Sequence, residues 1–284
     1  MKKLLSFIIC SLFLGLFSWV YGESFSQVKP HEVSFQKILD LNNVQGELIV
    51  FGDSFLENGK LKKESALEIP QNIKIHKALF MWMGEGLEGE KSTYHIEFKT
   101  KEEKVFKILP QKTLKEKNTR FLHVHWADVT TIVKPSQKYQ VRYFQFEKIP
   151  IPLDACGWAL ILITENKNSF QGRFQVFWGL QRLQPGELYN FTLQKSGATH
   201  DIIHSVAVIG GHGQKGNGSG NSLNGKTLSQ GEDWDGSSGE RWDADFSQVD
   251  FFGYKIDQGV IVTIDPLLQW IFPLGFALKT GERQ

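Results

Sequence analysis

The sequence predicts an all-β protein: an antiparallel β-sandwich of jelly-roll type, built as one large domain or as two lobes. Three observations carry that expectation. Short runs rich in Val, Ile, Phe, Tyr and Trp recur along the chain, each bounded by Gly, Asn, Asp, Ser or Pro, which is the grammar of strands and turns. Two of them, TYHIEFK (93–99) and YQVRYFQF (139–146), alternate apolar with polar residues and so have one wet face. A third, GWALILIT (157–164), is apolar from Trp158 to Ile163. A strand covered on both faces requires a second layer, which means stacked sheets.

The elements follow in order. Met1, Lys2 and Lys3 give a basic start, Leu4 to Phe17 is apolar, and Val20 and Gly22 are small residues flanking Tyr21; this is the pattern of an export signal. Its apolar run is shorter than the roughly 20 residues a membrane span needs, so the expectation is cleavage after Gly22 and a soluble chain of 262 residues outside the cytoplasm, with no transmembrane anchor. Residues 23–45 read as a lead-in segment, in which KPHEVSFQKILDLNN (29–43) has room for one short helix. The sandwich domain is expected over 46–284. Its strands are expected at 47–52, 66–69, 77–83, 93–99, 104–109, 139–146, 157–164, 172–180, 188–193, 204–210, 249–256, 259–264 and 272–279. ENKNSFQG (165–172) is short and polar, as the turn of an antiparallel hairpin would be. ADVTTIVKP (127–135), opened by Asp128 and stopped by Pro135, reads as a helical turn.

Charge and cysteine exclude several classes. Without its leader the chain has 30 basic and 31 acidic residues, a net charge of −1, which gives no basis for a nucleic-acid or polybasic membrane surface. Cys10 lies in the leader, so Cys156 has no partner within the mature chain and the fold is held by burial alone. In LDACGWALILI, Cys156 reads as a buried, inert thiol.

The compositional outlier is the Gly-, Asn- and Asp-rich stretch from 210 to 245, expected to be a polar loop. Within it GNSLNGKT (220–227) matches GxxxxGK[ST] at every fixed position. A working phosphate loop follows a buried strand directly and opens a helix; here TLSQGEDWDGSSG follows, so nucleotide binding is not expected. Glu232, Asp233, Asp235, Glu240, Asp243 and Asp245 supply oxygen ligands of the kind calcium takes. DWDGSSGERWDA lacks the mid-loop glycine and closing glutamate of an EF-hand, so a solvated turn is favoured and no metal or other cofactor is assigned; Asp233, Asp235, Asp243 and Asp245 stand as the calcium candidates. His123 and His125 would share a face if LHVHW is a strand, and His200, His204 and His212 follow later, but no third zinc ligand is placed. GxSxG and HExxH motifs are absent.

Taken together, GELIVFGDSF (46–55), SALEIP (65–70), KALFMWMGEG (77–86), WADVTTIVK (126–134), GWALILITENKNSFQGRFQVFWGL (157–180) and GNGSGNSLNGKTLS (216–229) give a chain that resembles the β-rich N-terminal module of large bacterial surface proteins, the type followed by DUF11-like repeats. The resemblance implies an extracellular β-sandwich with an Asn-Gly turn in the polar loop, and it brings no catalytic residues. Where that module has an acidic Glu-Gly-Asp, this chain has Gly210, Gly211, His212 and Gly213. No repeats, sorting motif or anchor follow within the sequence, so a subunit of an envelope assembly is expected.

The reading is a non-enzymatic structural or interaction component of the cell envelope, in the periplasm or at the cell surface, acting in surface adhesion or in an extracytoplasmic filament or sheath. Its partners would be other envelope or surface proteins. Trp234, Arg241 and Trp242 are the expected contact residues, being types that dominate interfaces; the rival placement folds both indoles back onto the core. The rival class is a carbohydrate-binding protein or a glycoside hydrolase using exposed tryptophans and paired carboxylates. The leader generates one prediction: intact-mass measurement of exported protein gives a chain beginning at Glu23, and a species still carrying Met1 to Gly22 defeats the soluble reading.

Overall fold

Twenty strands and no helix make up the residues that the computed structural model describes, which are 30–58, 60–62, 64–86, 95–116, 121–143, 156–194, 201–213, 220–228, 233, 234, 236, 238, 242–248 and 259–282. The expected export leader (1–22) lies outside them. In chain order the strands are β1 (His31–Val33), β2 (Gln36–Ser54), β3 (Leu56–Glu57), β4 (Lys60–Leu61), β5 (Ser65–Glu68), β6 (Lys74–Gly86), β7 (Ile96–Thr100), β8 (Val105–Ile108), β9 (Lys112–Lys115) and β10 (Phe121–Asp128). They continue with β11 (Lys138–Tyr143), β12 (Gly157–Glu165), β13 (Gln171–Trp178), β14 (Tyr189–Gln194), β15 (Asp201–Gly211), β16 (Gly220–Leu223), β17 (Lys226–Thr227), β18 (Trp242–Gln248), β19 (Val260–Asp265) and β20 (Phe272–Glu282).

The 19-residue β2 serves two partners in succession: Gln36–Gln45 pairs with β13 and Gly46–Ser54 with β12. The nine-stranded order β18-β15-β20-β13-β2-β12-β6-β10-β9 is therefore two halves that share one strand. Side chains alternate between cores across both. On β6, Ala78, Phe80 and Trp82 join one cluster while Leu79, Met81 and Met83 join another; on β15, Val206 and Val208 point away from Ala207 and Ile209. The four-stranded sheet β5-β11-β7-β8 covers one half, contributing Leu67, Phe98, Ile108 and Val141. The five-stranded sheet β1-β14-β19-β16-β17 covers the other with Phe191, Leu223 and Val262. The remaining faces of the two halves bury a third cluster between them, and Trp242 Nε1 of β18 donates to Trp158 O of β12 at 2.9 Å. Four sheet layers thus enclose three cores, as stacked antiparallel sandwiches do.

Several expectations need correction. Residues 31–45 are not a lead-in with a helix: they form β1 and the first half of β2. The signal there was weak because Asp40, Asn42 and Asn43 interrupt the apolar pattern; Asp40 is matched by Arg173, which donates from Nε and Nη2 at 2.7 Å each. β12 and β13 do not form a hairpin either. Glu165 faces Gly46 and Gln171 faces Gln45, so β12 and β13 run on in one direction as an interrupted antiparallel partner of β2, with residues 166–170 looped out between them. The expected turn after Asp128 is present, with Val133 N bonded to Val129 O at 3.0 Å and Asp128 Oδ1 accepting from Thr130 N at 3.0 Å. The expected strand at 249–256 lies outside the described residues.

A repeat hidden in the sequence becomes visible in the topology. β10–β11–β12 and β13–β14–β15 follow the same inner–outer–inner path, the first and third strands flanking β6 in one case and β20 in the other. Between the first two strands of each run stands the same corner, KPSQKYQV (134–141) and QPGELYNF (184–191). Lys134 N donates to Tyr139 Oη and Gln184 N to Tyr189 Oη, both at 3.0 Å. The residue after each proline, Ser136 or Gly186, has positive φ, 63° and 78°. The tyrosine hydroxyl satisfies a backbone amide where the chain leaves one sheet for the other, which is the office of a tyrosine corner in sandwich folds.

Candidate functional site

The 210–245 stretch is not one loose loop. β15 runs to Gly211, and the phosphate-loop string folds as the β16–β17 hairpin. Asn224 and Gly225 sit at its turn with φ of 49° and 79°, the two positive angles of a type I′ turn. The string is thus a hairpin signature whose lysine, Lys226, is exposed in β17, and among the described residues no helix follows to hold phosphate.

The two loop tryptophans are core residues. Trp234 lies 1 % exposed between the five-stranded sheet and its inner half, and Trp242 lies 0 % exposed between the two inner halves. Trp234 Nε1 donates to Asn221 Oδ1 at 2.8 Å, and Gln269 Nε2 donates to Trp234 O at 3.0 Å. Gly157 makes room for Trp242, since a Cβ there would stand 2.2 Å from the indole. These indoles are therefore not a contact surface; burying such large apolar rings in a core outweighs leaving them in water. Arg241 lies outside the described residues.

Two calcium candidates are bound to backbone instead. Asp233 Oδ2 accepts from Asn221 N at 2.5 Å and Asp243 Oδ1 from Gly236 N at 2.8 Å. Both carboxylates are buried, so they pin the loop rather than solvate it. Asp235 and the side chain of Asp245 lie outside the described residues, as does His200. Among the described residues no three His, Cys, Asp or Glu side chains gather as a metal would require.

His123 and His125 do share a face of β10, with parallel rings 6.3 Å apart. Trp82 stacks on His125 at 5.1 Å, and Thr113 Oγ1 lies 2.8 Å from His125 Nδ1. Burial, reinforced by the charge of Lys115, pushes His123 down to about 4; burial, the neighbouring His123 and Lys115 push His125 down to about 3. The pair is neutral at physiological pH and packs as core. Cys156 is a buried thiol outside any disulfide.

One cleft was not foreseen. It holds about 410 Å³ between β9 with its following residue (Leu114, Lys115, Glu116), the β13–β14 connection (Leu180, Gln181, Arg182, Gln184) and Trp270. The Arg182 guanidinium lies over the Trp270 ring at 4.0 Å, a cation–π contact that fixes a long side chain. Trp270 is held in turn by its carbonyl, 2.9 Å from His212 Nδ1. Burial raises the Glu116 carboxyl above the usual range, with the Arg182 charge opposing. No local motif marks this site, because its residues come from three distant segments.

No protein-family model matches the chain, and no characterised protein matches it. Geometry therefore carries the functional reading.

Two predictions follow from the buried groups. Trp242→Ala and Trp234→Ala each destabilise the fold by about 3–5 kcal/mol, measured by urea denaturation; unchanged midpoints would show that the rings contribute nothing to the cores. The histidines make stability depend on pH. Their folded pKa values lie below the unfolded value of about 6.5, so the unfolded chain binds protons first. Stability is full above that value and falls as pH drops toward about 4 and then about 3, by roughly 1–2 kcal/mol per histidine at pH 5. Replacing His125 with Gln should flatten this dependence in the same denaturation assay, and an equally steep profile in the variant refutes the assignment.

Proposed function

We propose that the chain is an exported, non-enzymatic structural or interaction component of the bacterial envelope, working in surface adhesion or as a subunit of an extracytoplasmic filament or sheath. The observation that supports this most directly is the single antiparallel ribbon formed by β2 with β12 and β13, which runs through both sandwiches. A strand shared by two sandwiches leaves no linker between them, so force or contact applied to one is transmitted to the other through ladder hydrogen bonds. The resemblance to surface-protein modules agrees with that role. With Trp234 and Trp242 buried, contact falls to the apolar side chains that do reach solvent, foremost Leu268 in the β19–β20 turn, 76 % exposed, and Leu109 after β8, 63 % exposed.

The test is crosslinking of protein expressed with its own leader, followed by fractionation. Leu268→Glu should lose crosslinked envelope proteins while its melting curve is unchanged. Retention of the protein in the cytoplasm, or undiminished crosslinking by the variant, would sink the proposal.

A further inference from the structure

The cleft at the junction of the sandwiches has the composition of a small-ligand site. Its volume of about 410 Å³ falls within the roughly 300–1,000 Å³ usual for such sites. Arg182 is held by Trp270, and its Nε is buried with no acceptor among the described residues. A guanidinium so placed is a rigid fork whose Nη donors match a carboxylate. Lys115 and Arg182 against Glu116 give the lining an excess of one positive charge. Gln181 donates to Arg182 O at 3.3 Å, which leaves its amide oxygen as an acceptor. Gln184 offers a whole amide, exposed at the cleft. Amides both donate and accept, as sugar hydroxyls do. Leu114 and Leu180 supply apolar surface for ring C–H groups. Glu116 adds carboxylate oxygens at the cleft, which accept from a ring hydroxyl.

We propose that this cleft binds an acidic saccharide, with the uronate carboxylate on Arg182 and ring hydroxyls on Gln181, Gln184 and Glu116. A simple carboxylate would leave the two amides and Glu116 unmatched, and a neutral sugar would leave the guanidinium unmatched. The site is independent of the structural role proposed above: binding and crosslinking are read by separate experiments.

Calorimetric titration of the mature protein with trigalacturonate, cellotriose and a glutamate tripeptide tests the assignment. Trigalacturonate should bind, and Arg182→Gln should weaken it by tenfold or more, the scale of a lost charge-assisted hydrogen-bond pair. Should Arg182→Gln lower the melting temperature, Gln184→Ala supplies the second variant; its side chain is exposed, and it should weaken binding severalfold with the fold intact. Four results overturn the proposal: no binding of trigalacturonate, equal binding of cellotriose, equal binding of the tripeptide, or full affinity in folded Arg182→Gln.

Discussion

Lys279 holds the point at which one strand changes partners. Where β2 passes from β13 to β12, the regular ladder is interrupted and its backbone groups need other partners, because a buried carbonyl without one costs about 1–3 kcal/mol. The Lys279 ammonium, buried in β20, donates to Gly46 O at 2.7 Å and Ser169 Oγ at 2.9 Å, with Glu47 Oε2 at 3.3 Å. The Phe170 ring lies 3.8 Å from the same nitrogen. Burial lowers the lysine's pKa, and the Glu47 carboxylate opposes that shift. Gln45 Nε2 adds bonds to Lys167 O and Ser169 O, at 2.8 and 2.9 Å. Gly46 is required by closeness: a Cβ there would lie 1.7 Å from Thr164 O. The looped-out residues 166–170 are thus the clamp that lets a two-strand ribbon belong to two sandwiches.

The loop after β15 ties together what the ribbon joins. Trp234 enters the core under the five-stranded sheet, while Trp242, eight positions on, enters the core between the two inner halves. Asp233 and Asp243 bracket them, each bonded to a backbone amide. A segment whose sequence is dominated by Gly, Ser and Asn is ordered at these points by two indoles and two carboxylates, and Gly210 admits the Trp234 ring, from which a Cβ there would stand 2.6 Å. The aromatic residues within it fit either a contact surface, as expected from the sequence, or a core, and the burial of both indoles decides for the core.

Legibility in the sequence followed physical locality. GWALILIT announced a strand with both faces covered, and 157–165 is a strand buried from Gly157 to Thr164. TYHIEFK announced alternation, and Ile96–Thr100 alternates buried with half-buried residues. The first half of β2 was illegible because its polar residues, Asp40 above all, are satisfied by Arg173, 133 residues away. The sequence points to a hairpin for β12 because short polar turns usually close hairpins, whereas here a third strand takes both arms. The repeated corner has almost no sequence signature because only Pro and Tyr recur at fixed spacing, and their meaning lies in the bond between Tyr Oη and a backbone amide. The cleft had no sequence signature at all, since Glu116, Arg182 and Trp270 meet only in the fold.

Comparison of the two corners shows how that cleft arises. In the first, Trp126 and Pro135 are separated by a stretch that closes on itself: Val129 O accepts from both Ile132 N and Val133 N, and Asp128 caps Thr130. In the second, the stretch from Trp178 to Pro185 is two residues shorter and makes no such turn. Leu183 instead bridges to Ile271, its N bonded to Ile271 O at 2.9 Å. That bridge brings the connection alongside Trp270 and leaves Gln181 and Arg182 facing β9 of the other sandwich. The shorter corner thus has a bridge to Ile271 where the longer one has a self-satisfied turn, and its polar side chains line the cleft.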